Sequence, residues 1–222
     1  YSLKQKNSLL SIIRSDSIEA NVMRESGLFL DTKSGYIDRF YGRIIFSIHN
    51  ASGKVSAFAG RTFESNNKAK YVNSPETIIY NKSKILYGLH KTKNRIRESK
   101  SVIVVEGYMD FLQLYQSGIE NIVAVSGTAF TDQHAIQIKR FCNTVYLAYD
   151  GDRAGKAAAI RAGYVLLRLG ISASIVPIPN DIDPDDWIKD HGKEPFLNAV
   201  SNSSELIEFH YNNYPSDTSS TT

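Results

Sequence analysis

Past residue 100, short apolar runs alternate with longer amphipathic segments. The apolar runs are rich in β-branched residues and predict strands at about residues 102–105, 121–125, 144–149 and 172–178. The segments between them predict helices at about residues 108–117, 131–141 and 153–169, with a further short helix around Trp187. Strands that alternate with helices are typical of a parallel sheet with right-handed crossovers. We therefore predict an α/β protein whose parallel-sheet domain begins near Ser101.

The first hundred residues have a different pattern. Residues 3–25 predict two short helices, the second capped by Asp16 or Ser17. Residues 43–48 and 54–59 predict a β-hairpin, residues 68–77 a loop that includes Lys68, and residues 83–98 a helix carrying many cations. We expect a mixed α/β part at residues 1–100, the parallel-sheet domain at 101–195, and the start of a helical region with a disordered tail at 196–222.

Carboxylates follow three of the four predicted strands. They are Glu106 and Asp110 after the first strand, Asp150 and Asp152 after the third, and Asp183 and Asp185 after the fourth. Since ligands bind at the carboxyl ends of parallel strands, we expect these side chains to face one site. Gly151 is predicted to let a ligand approach the backbone there. Each cluster alone has an alternative explanation, an acidic helix N-terminus that complements the helix dipole.

Crowded carboxylates repel one another, so three clusters at one sheet edge indicate a compensating cation. The ligands are all oxygens and no histidine lies within five residues of any of them, which predicts Mg²⁺ or Mn²⁺.

The net charge of +3 conceals a strong asymmetry. Residues 1–100 carry 18 Lys and Arg against 8 Asp and Glu, a net charge of +10, whereas residues 101–222 carry 8 against 15, a net charge of −7. A basic half suits a polyanion and an acidic half suits divalent cations. Together they predict phosphoryl or nucleotidyl transfer on nucleic acid. The alternative is that both halves carry only solvated surface charge.

Several classes of protein are excluded by composition. No apolar run approaches the ~18 residues of a membrane helix and no secretory leader is present, so we expect a cytoplasmic protein without a membrane partner. A single cysteine, Cys142, excludes an internal disulfide and a zinc ribbon formed by this chain alone. Because the chain begins at Tyr1, we expect a piece of a larger protein.

The motifs resemble the RNA polymerase core of bacterial DnaG-type replicative primases, with its Toprim metal-binding fold. The resemblance runs from about Gly27 to Gly192. It rests on Glu106-Gly-Tyr-Met-Asp110, Asp150-Gly-Asp-Arg-Ala-Gly155, Asp183-Pro-Asp185 and, in the basic half, Lys70-Tyr-Val-Asn-Ser-Pro-Glu-Thr77. The last of these is similar to a primase feature and separates this family from other Toprim proteins.

The resemblance implies DNA-directed RNA primer synthesis at replication forks, with single-stranded DNA and ribonucleoside triphosphates as partners. It implies Mg²⁺ or Mn²⁺ as cofactor and no zinc in this chain. The implied catalytic residues are Glu106, Asp150 and Asp152, with Asp110, Asp183 and Asp185 as further metal ligands. The implied nucleic-acid and nucleotide contacts are Arg43, Arg61, Lys70, Tyr71, Asn73 and Lys82.

The resemblance also implies parts that lie outside this chain, among them a zinc-binding domain and the region that contacts the replicative helicase. We expect the chain itself to be a monomer. Two alternatives stay open at this point. One is another Toprim enzyme, a topoisomerase or nuclease, in which a tyrosine or water attacks DNA. The other is a non-enzymatic single-strand-binding module of the repair type.

Overall fold

The structure is a computed structural model that describes residues 1–16, 18–64 and 69–213. Ser17, Lys68 and the predicted tail from residue 214 lie outside the described residues. The chain divides into two compact units, Tyr1–Lys82 and Ser83–Thr222. No helix in the described ranges is long and apolar enough to span a lipid bilayer.

In the described residues of the first unit, two short α-helices accompany two antiparallel sheets. The helices are α1 (Ser8–Ser15) and α2 (Ala20–Glu25); β1 (Phe29–Thr32) pairs with β2 (Gly35–Asp38); and β3 (Arg43–His49), β4 (Val55–Thr62) and β5 (Tyr71–Asn73) form a sheet in that order. The predicted hairpin at residues 43–59 is confirmed by the pairing of β3 with β4. The predicted cap at Asp16 is wrong, because Asp16 lies at the C-terminal end of α1 and Glu19 precedes α2.

The second unit is built on one five-stranded sheet. Its elements are α3 (Leu89–Ser99), β6 (Ser101–Val105), α4 (Tyr108–Gln116), β7 (Ile122–Ala124), α5 (Asp132–Lys139), β8 (Thr144–Leu147), α6 (Arg153–Arg168), β9 (Ser172–Ile175), α7 (Pro184–His191), α8 (Lys193–Ser201), β10 (Ser204–Glu205) and α9 (Leu206–Asn213). The strand order is β10-β9-β8-β6-β7, with β10 antiparallel and the others parallel. The predicted α/β fold with a parallel sheet is confirmed.

The order of the strands sets where ligands bind in the second unit. After β6 the chain moves to β7 on one side and then returns to β8 on the other side of β6. Neighbouring strands whose connections leave in opposite directions form a crevice at their carboxyl ends, the topological switch point. In this sheet that point lies between β6 and β8, directly before Glu106 and Asp150.

Both faces of the parallel sheet are buried. One face carries a core that includes Leu89, Ile96, Val104, Leu147 and Leu166, and the other carries residues of β6 and β7 with α4, α7 and α8.

α3 packs with the second unit, because its residues Leu89 and Ile96 belong to the first of these cores. The boundary predicted near residue 101 therefore falls inside that unit. The predicted helix at 83–98 begins later, at Leu89, after a left-handed Gly88 whose backbone the Phe111 ring approaches closely.

Candidate metal centre and nucleic-acid surface

The switch point brings Glu106 and Asp150 together. The Glu106 carboxylate accepts a hydrogen bond from the backbone N–H of Asp150, and its Oε1 is buried with no hydrogen-bond partner. Burial raises the pKa of Glu106, and the charges of Asp110 and Asp152 raise it further. The pKa of Asp150 is raised to about 6. Burial is the main cause, and the negative charges of Glu106 and Asp183 add to it. These two carboxylates thus sit where their negative charge is poorly solvated.

Asp110 joins the acidic segment that follows β6 to the acidic segment at the start of α7. Its side chain is buried, and it accepts hydrogen bonds from the backbone N–H groups of Gly107 at 2.8 Å and Asp185 at 3.2 Å. Burial raises the pKa of Asp110 to about 7, with further contributions from Asp150 and Asp183. The predicted proximity of Asp110 to the other clusters therefore has a direct structural link.

The third segment forms a compact group of carboxylates at the start of α7. One ligand oxygen each from Asp183, Asp185 and Asp186 lies within 4.8 Å of the others. Asp183 caps α7 by accepting from the backbone N–H of Asp186 at 2.7 Å. Lys189 donates to Asp185 at 2.9 Å and to Asp186 at 3.2 Å. The group thus carries one internal cation, and one oxygen of the buried Asp185, Oδ1, has no partner.

Asp152 has a different environment from the other predicted ligands. It is exposed and caps α6, where its Oδ1 accepts from the backbone N–H of Gly155 at 2.6 Å. In the part of the chain that the structure describes, Asp183, Asp185 and Asp186 are the one acidic trio with ligand atoms this close together. The predicted catalytic set of Glu106, Asp150 and Asp152 is not gathered to that degree.

The glycines of the Asp-Gly-Asp segment serve the packing of this loop. A Cβ at Gly151 would collide with the carbonyl of Pro179, and one at Gly155 would collide with the backbone of Asp150. The N–H of Gly151 also donates to the carbonyl of Ile182 at 2.9 Å, which fastens this loop to the third acidic segment. Backbone of the same chain therefore fills the space in which a side chain at position 151 would lie, and approach of a ligand to Gly151 stays a prediction.

This arrangement fits a hard divalent cation. The converging ligands are all carboxylate oxygens, which Mg²⁺, Mn²⁺ and Ca²⁺ prefer. Two of them, Glu106 Oε1 and Asp185 Oδ1, are buried acceptors without a partner. Burial and mutual repulsion both disfavour the charged carboxylates, and a bound cation would relieve both. Asp186 joins this set; it was not among the predicted ligands, although its position three residues after Asp183 is visible in the sequence.

In the first unit, Arg43 holds backbone segments together. It is buried, and its Nη1 donates to the carbonyls of Gly60 at 3.2 Å, Ala69 at 3.0 Å and Lys70 at 3.5 Å. A buried guanidinium bonded to carbonyls contributes to the fold, so the geometry supports a structural role. Contact of Arg43 with phosphate stays a prediction.

Three other predicted contacts share one face of the β3-β4-β5 sheet. Arg61 lies opposite Tyr71, Asn73 lies two residues further along β5, and side chains two apart in a strand point the same way. The Arg61 guanidinium lies 5.6 Å from the centre of the Tyr71 ring, within cation–π range. Lys70 is exposed just before β5, and Lys82 is half-buried at a 3₁₀ turn. The segment predicted as a loop thus includes a strand.

Comparison with known proteins agrees with this organisation. The family model described as "DNA primase catalytic core, N-terminal domain" matches residues 1–93, and the model described as "Toprim-like" matches residues 103–188. A DNA primase of Clostridium acetobutylicum is 39% identical over 213 residues, which cover 96% of this chain and 35% of the relative. The chain thus spans about a third of the length of the curated relatives it matches.

Solved structures give the same result for the fold. The E. coli primase catalytic core has a TM-score of 0.87 and 34% identity, covering 96% of this chain and 69% of that chain. A DnaG primase catalytic domain bound to single-stranded DNA has a TM-score of 0.87 and 33% identity, covering 96% and 68%.

The parallel sheet and its acidic switch point make the second unit a Toprim-like domain. Residues 1–93 match the primase catalytic core, so both parts of the chain point to the same family. The chain belongs to the DnaG-type primases and matches their catalytic core.

Proposed function

We propose that this chain carries the catalytic centre for DNA-directed synthesis of RNA primers. One observation carries the proposal: the Toprim-like match coincides with a described unit in which Glu106, Asp110, Asp150 and Asp185 are connected by hydrogen bonds or mutual charge effects. The family membership favours this activity over a topoisomerase, a nuclease or a repair module. We assign template and phosphate binding to residues 1–100 and metal binding to residues 101–195.

The proposed cation is Mg²⁺ or Mn²⁺, held by carboxylates from the three acidic segments. When bound, such an ion neutralises the charge that develops on the reacting phosphate and its leaving group. Glu106, Asp110, Asp150, Asp183, Asp185 and Asp186 are the residues we assign to hold it. Asp152 is assigned to the same set, because its charge acts on Glu106 and Asp150; its Oδ1 also caps α6.

The proposed reaction is attack of a 3′ hydroxyl on the α-phosphorus of the next ribonucleoside triphosphate, with pyrophosphate leaving. A proton must leave the attacking hydroxyl. Glu106 is the carboxylate we propose to relay that proton, because a carboxylate at the reacting hydroxyl can act as a general base.

The proposed template is single-stranded DNA. The solved relative titled as bound to single-stranded DNA supports this, and so does the shared face of Arg61, Tyr71 and Asn73. Cations bind the phosphate backbone without reading sequence, and an aromatic ring offers a stacking surface for a base. Lys70 and Lys82 would add phosphate contacts. Contact with the replicative helicase, the absence of zinc, the monomeric state and the cellular location stay predictions.

Incorporation of labelled ribonucleotides on a single-stranded template tests the proposal. The wild-type chain with Mg²⁺ or Mn²⁺ is expected to extend a short RNA annealed to DNA, and Asp150→Ala is expected to abolish extension. Asp190→Ala, an exposed aspartate on α7, is the matched control and is expected to extend like wild type. Full extension by Asp150→Ala would place the chemistry elsewhere.

A further inference from the structure

Tyr149, the residue before Asp150, has a buried hydroxyl for which the structure shows no use. The side chain is 5% exposed, and its hydroxyl is buried without a hydrogen-bond partner. Burying a phenol without a partner is costly, because the group loses its hydrogen bonds to water. Glu106 Oε1, an acceptor, is also buried without a hydrogen-bond partner. One donor and one acceptor of the same site are therefore both unsatisfied.

The ends of β6 and β8 bring these two residues near each other. In this parallel pair the last residues in register are Val104 and Leu147, and Glu106 and Tyr149 each follow two residues later, just past the strands. The Glu106 carboxylate accepts a hydrogen bond from the backbone N–H of Asp150, the residue after Tyr149. Tyr149 itself belongs to the core cluster that contains Val104 and Leu147. Glu106 is among the charges that act on the Tyr149 hydroxyl, which agrees with this proximity.

The two side chains differ in how freely they move. The Tyr149 ring is packed within the core cluster, so the position of its hydroxyl is fixed by the fold. The terminal torsion of a glutamate is broad, so the Glu106 carboxylate rotates at low cost. Rotation of the Glu106 carboxylate, with the Tyr149 ring held in place, is the change that would join the two groups.

We propose that Tyr149 is a positioning residue for the metal centre, whose hydroxyl donates a hydrogen bond to the Glu106 carboxylate when that carboxylate holds a cation. With the backbone N–H of Asp150, this gives Glu106 two fixed donors and one orientation toward the ion. Donors behind a ligating carboxylate typically change metal affinity ~10- to 100-fold. This inference rests on the proposed function, because it takes Glu106 to be a metal ligand.

Titration with Mn²⁺ tests the inference, with free Mn²⁺ measured by its electron paramagnetic resonance signal. Tyr149→Phe removes only the hydroxyl, and we expect it to weaken Mn²⁺ binding by about 10-fold. Tyr146→Phe makes the same change three residues earlier on β8 and is expected to bind like wild type. Metal-free Tyr149→Phe is expected to melt at or above the wild-type temperature, because it loses a buried hydroxyl that has no partner.

The results separate this inference from the proposed metal site. If wild type binds Mn²⁺, Asp150→Asn loses binding and Tyr149→Phe binds like wild type, the role of Tyr149 is overturned and the metal site stands. If wild type binds no Mn²⁺, or Asp150→Asn binds equally well, the metal site itself fails and the inference with it. A metal-free Tyr149→Phe that melts well below wild type would show that the hydroxyl supports the fold, which also overturns the inference.

Discussion

The carboxylate of Asp110 accepts a hydrogen bond from the backbone N–H of Asp185 at 3.2 Å, although the two residues are 75 positions apart. Its other oxygen accepts from Gly107, at the N-terminus of Asp110's own helix. One side chain therefore joins the start of α4 to the start of α7. This bridge fixes the distance between the two acidic segments, which lie at the N-termini of α4 and α7.

Asp110→Asn is expected to destabilise the metal-free protein at pH 5, where burial, which raises the pKa of Asp110 to about 7, keeps the wild-type side chain protonated and the variant therefore removes no charge. Asparagine keeps one acceptor oxygen and replaces the other with an NH₂ donor, so the N–H of either Gly107 or Asp185 loses its partner. An unsatisfied buried donor costs about 1–3 kcal/mol. Urea unfolding measures the change, with Asp190→Asn on the exposed side of α7 as control. Equal stability of Asp110→Asn and wild type would contradict the bridging role.

The metal-free protein is expected to lose stability as the pH rises from 5 to 8. The pKa of Asp110 is raised to about 7 and that of Asp150 to about 6, so the folded state holds protons that the unfolded state releases near pH 4. Their contribution is fully present below the unfolded pKa and is lost as the pH passes 6 and 7. Saturating Mg²⁺ should flatten this fall, because the ion compensates the charged forms. Melting temperatures across this range, with Mg²⁺ and with a chelator, check both statements.

Asp150→Asn removes one of the two groups responsible for that dependence, since it takes away both the burial cost of the Asp150 charge and its repulsion with Glu106 and Asp183. At pH 8 the variant is expected to be more stable than wild type without metal, by roughly 1 kcal/mol after allowance for solvent screening of a half-exposed carboxylate. It should also lose most of the Mg²⁺-induced rise in melting temperature, since fewer ligands remain. A less stable metal-free variant with an undiminished Mg²⁺ effect would show that Asp150 serves the fold.

Much of the fold and of the acidic site was predictable, because the patterns that indicate them lie within short, continuous stretches of the sequence. β6 is buried on both faces and reads as an unbroken apolar run, so its end at Glu106 is visible in the sequence. The pairing of Lys189 with Asp185 was not predicted. It depends on the side of α7 that faces the site, which the packing of Trp187 and Ile188 decides. The exposed cap position of Asp152 was likewise set by how α6 begins.

The basic half was less predictable for the same reason. A strand pattern shows that residues alternate between two faces but does not show which face is covered. Arg43 and Arg61 both appear as cations in β-strands, yet Arg43 is buried against carbonyls and Arg61 lies beside Tyr71. β5 escaped prediction because only three residues pair with β4, within a segment rich in turn-forming residues.

Lys189→Met is expected to make the protein more dependent on divalent cations. The ammonium group is the internal cation of Asp185 and Asp186, so its removal leaves two neighbouring carboxylates uncompensated. The metal-free variant should melt below wild type at pH 8, and Mg²⁺ should raise its melting temperature by more than it raises that of wild type. Lys193→Met, which removes an exposed lysine at the start of α8, is the charge-matched control. Identical Mg²⁺ effects in the two variants would contradict this role.

Arg61→Ala is expected to weaken single-stranded DNA binding equally for different sequences, because a cation that contacts phosphate reads no bases. Each lost phosphate contact should reduce the slope of log K against log salt by about 0.7. Fluorescence anisotropy with labelled oligonucleotides at several salt concentrations gives both quantities. Lys70→Ala should behave in the same way, since Lys70 is exposed.

Arg43→Ala provides the contrast that makes this test specific. Its guanidinium is buried and donates to the carbonyls of Gly60 and Ala69, so the variant should unfold at a lower urea concentration. Arg61→Ala, which loses a half-buried cation beside the Tyr71 ring, should change stability far less. If Arg61→Ala keeps both the affinity and the salt slope of wild type, the face shared with Tyr71 is not the DNA-binding surface.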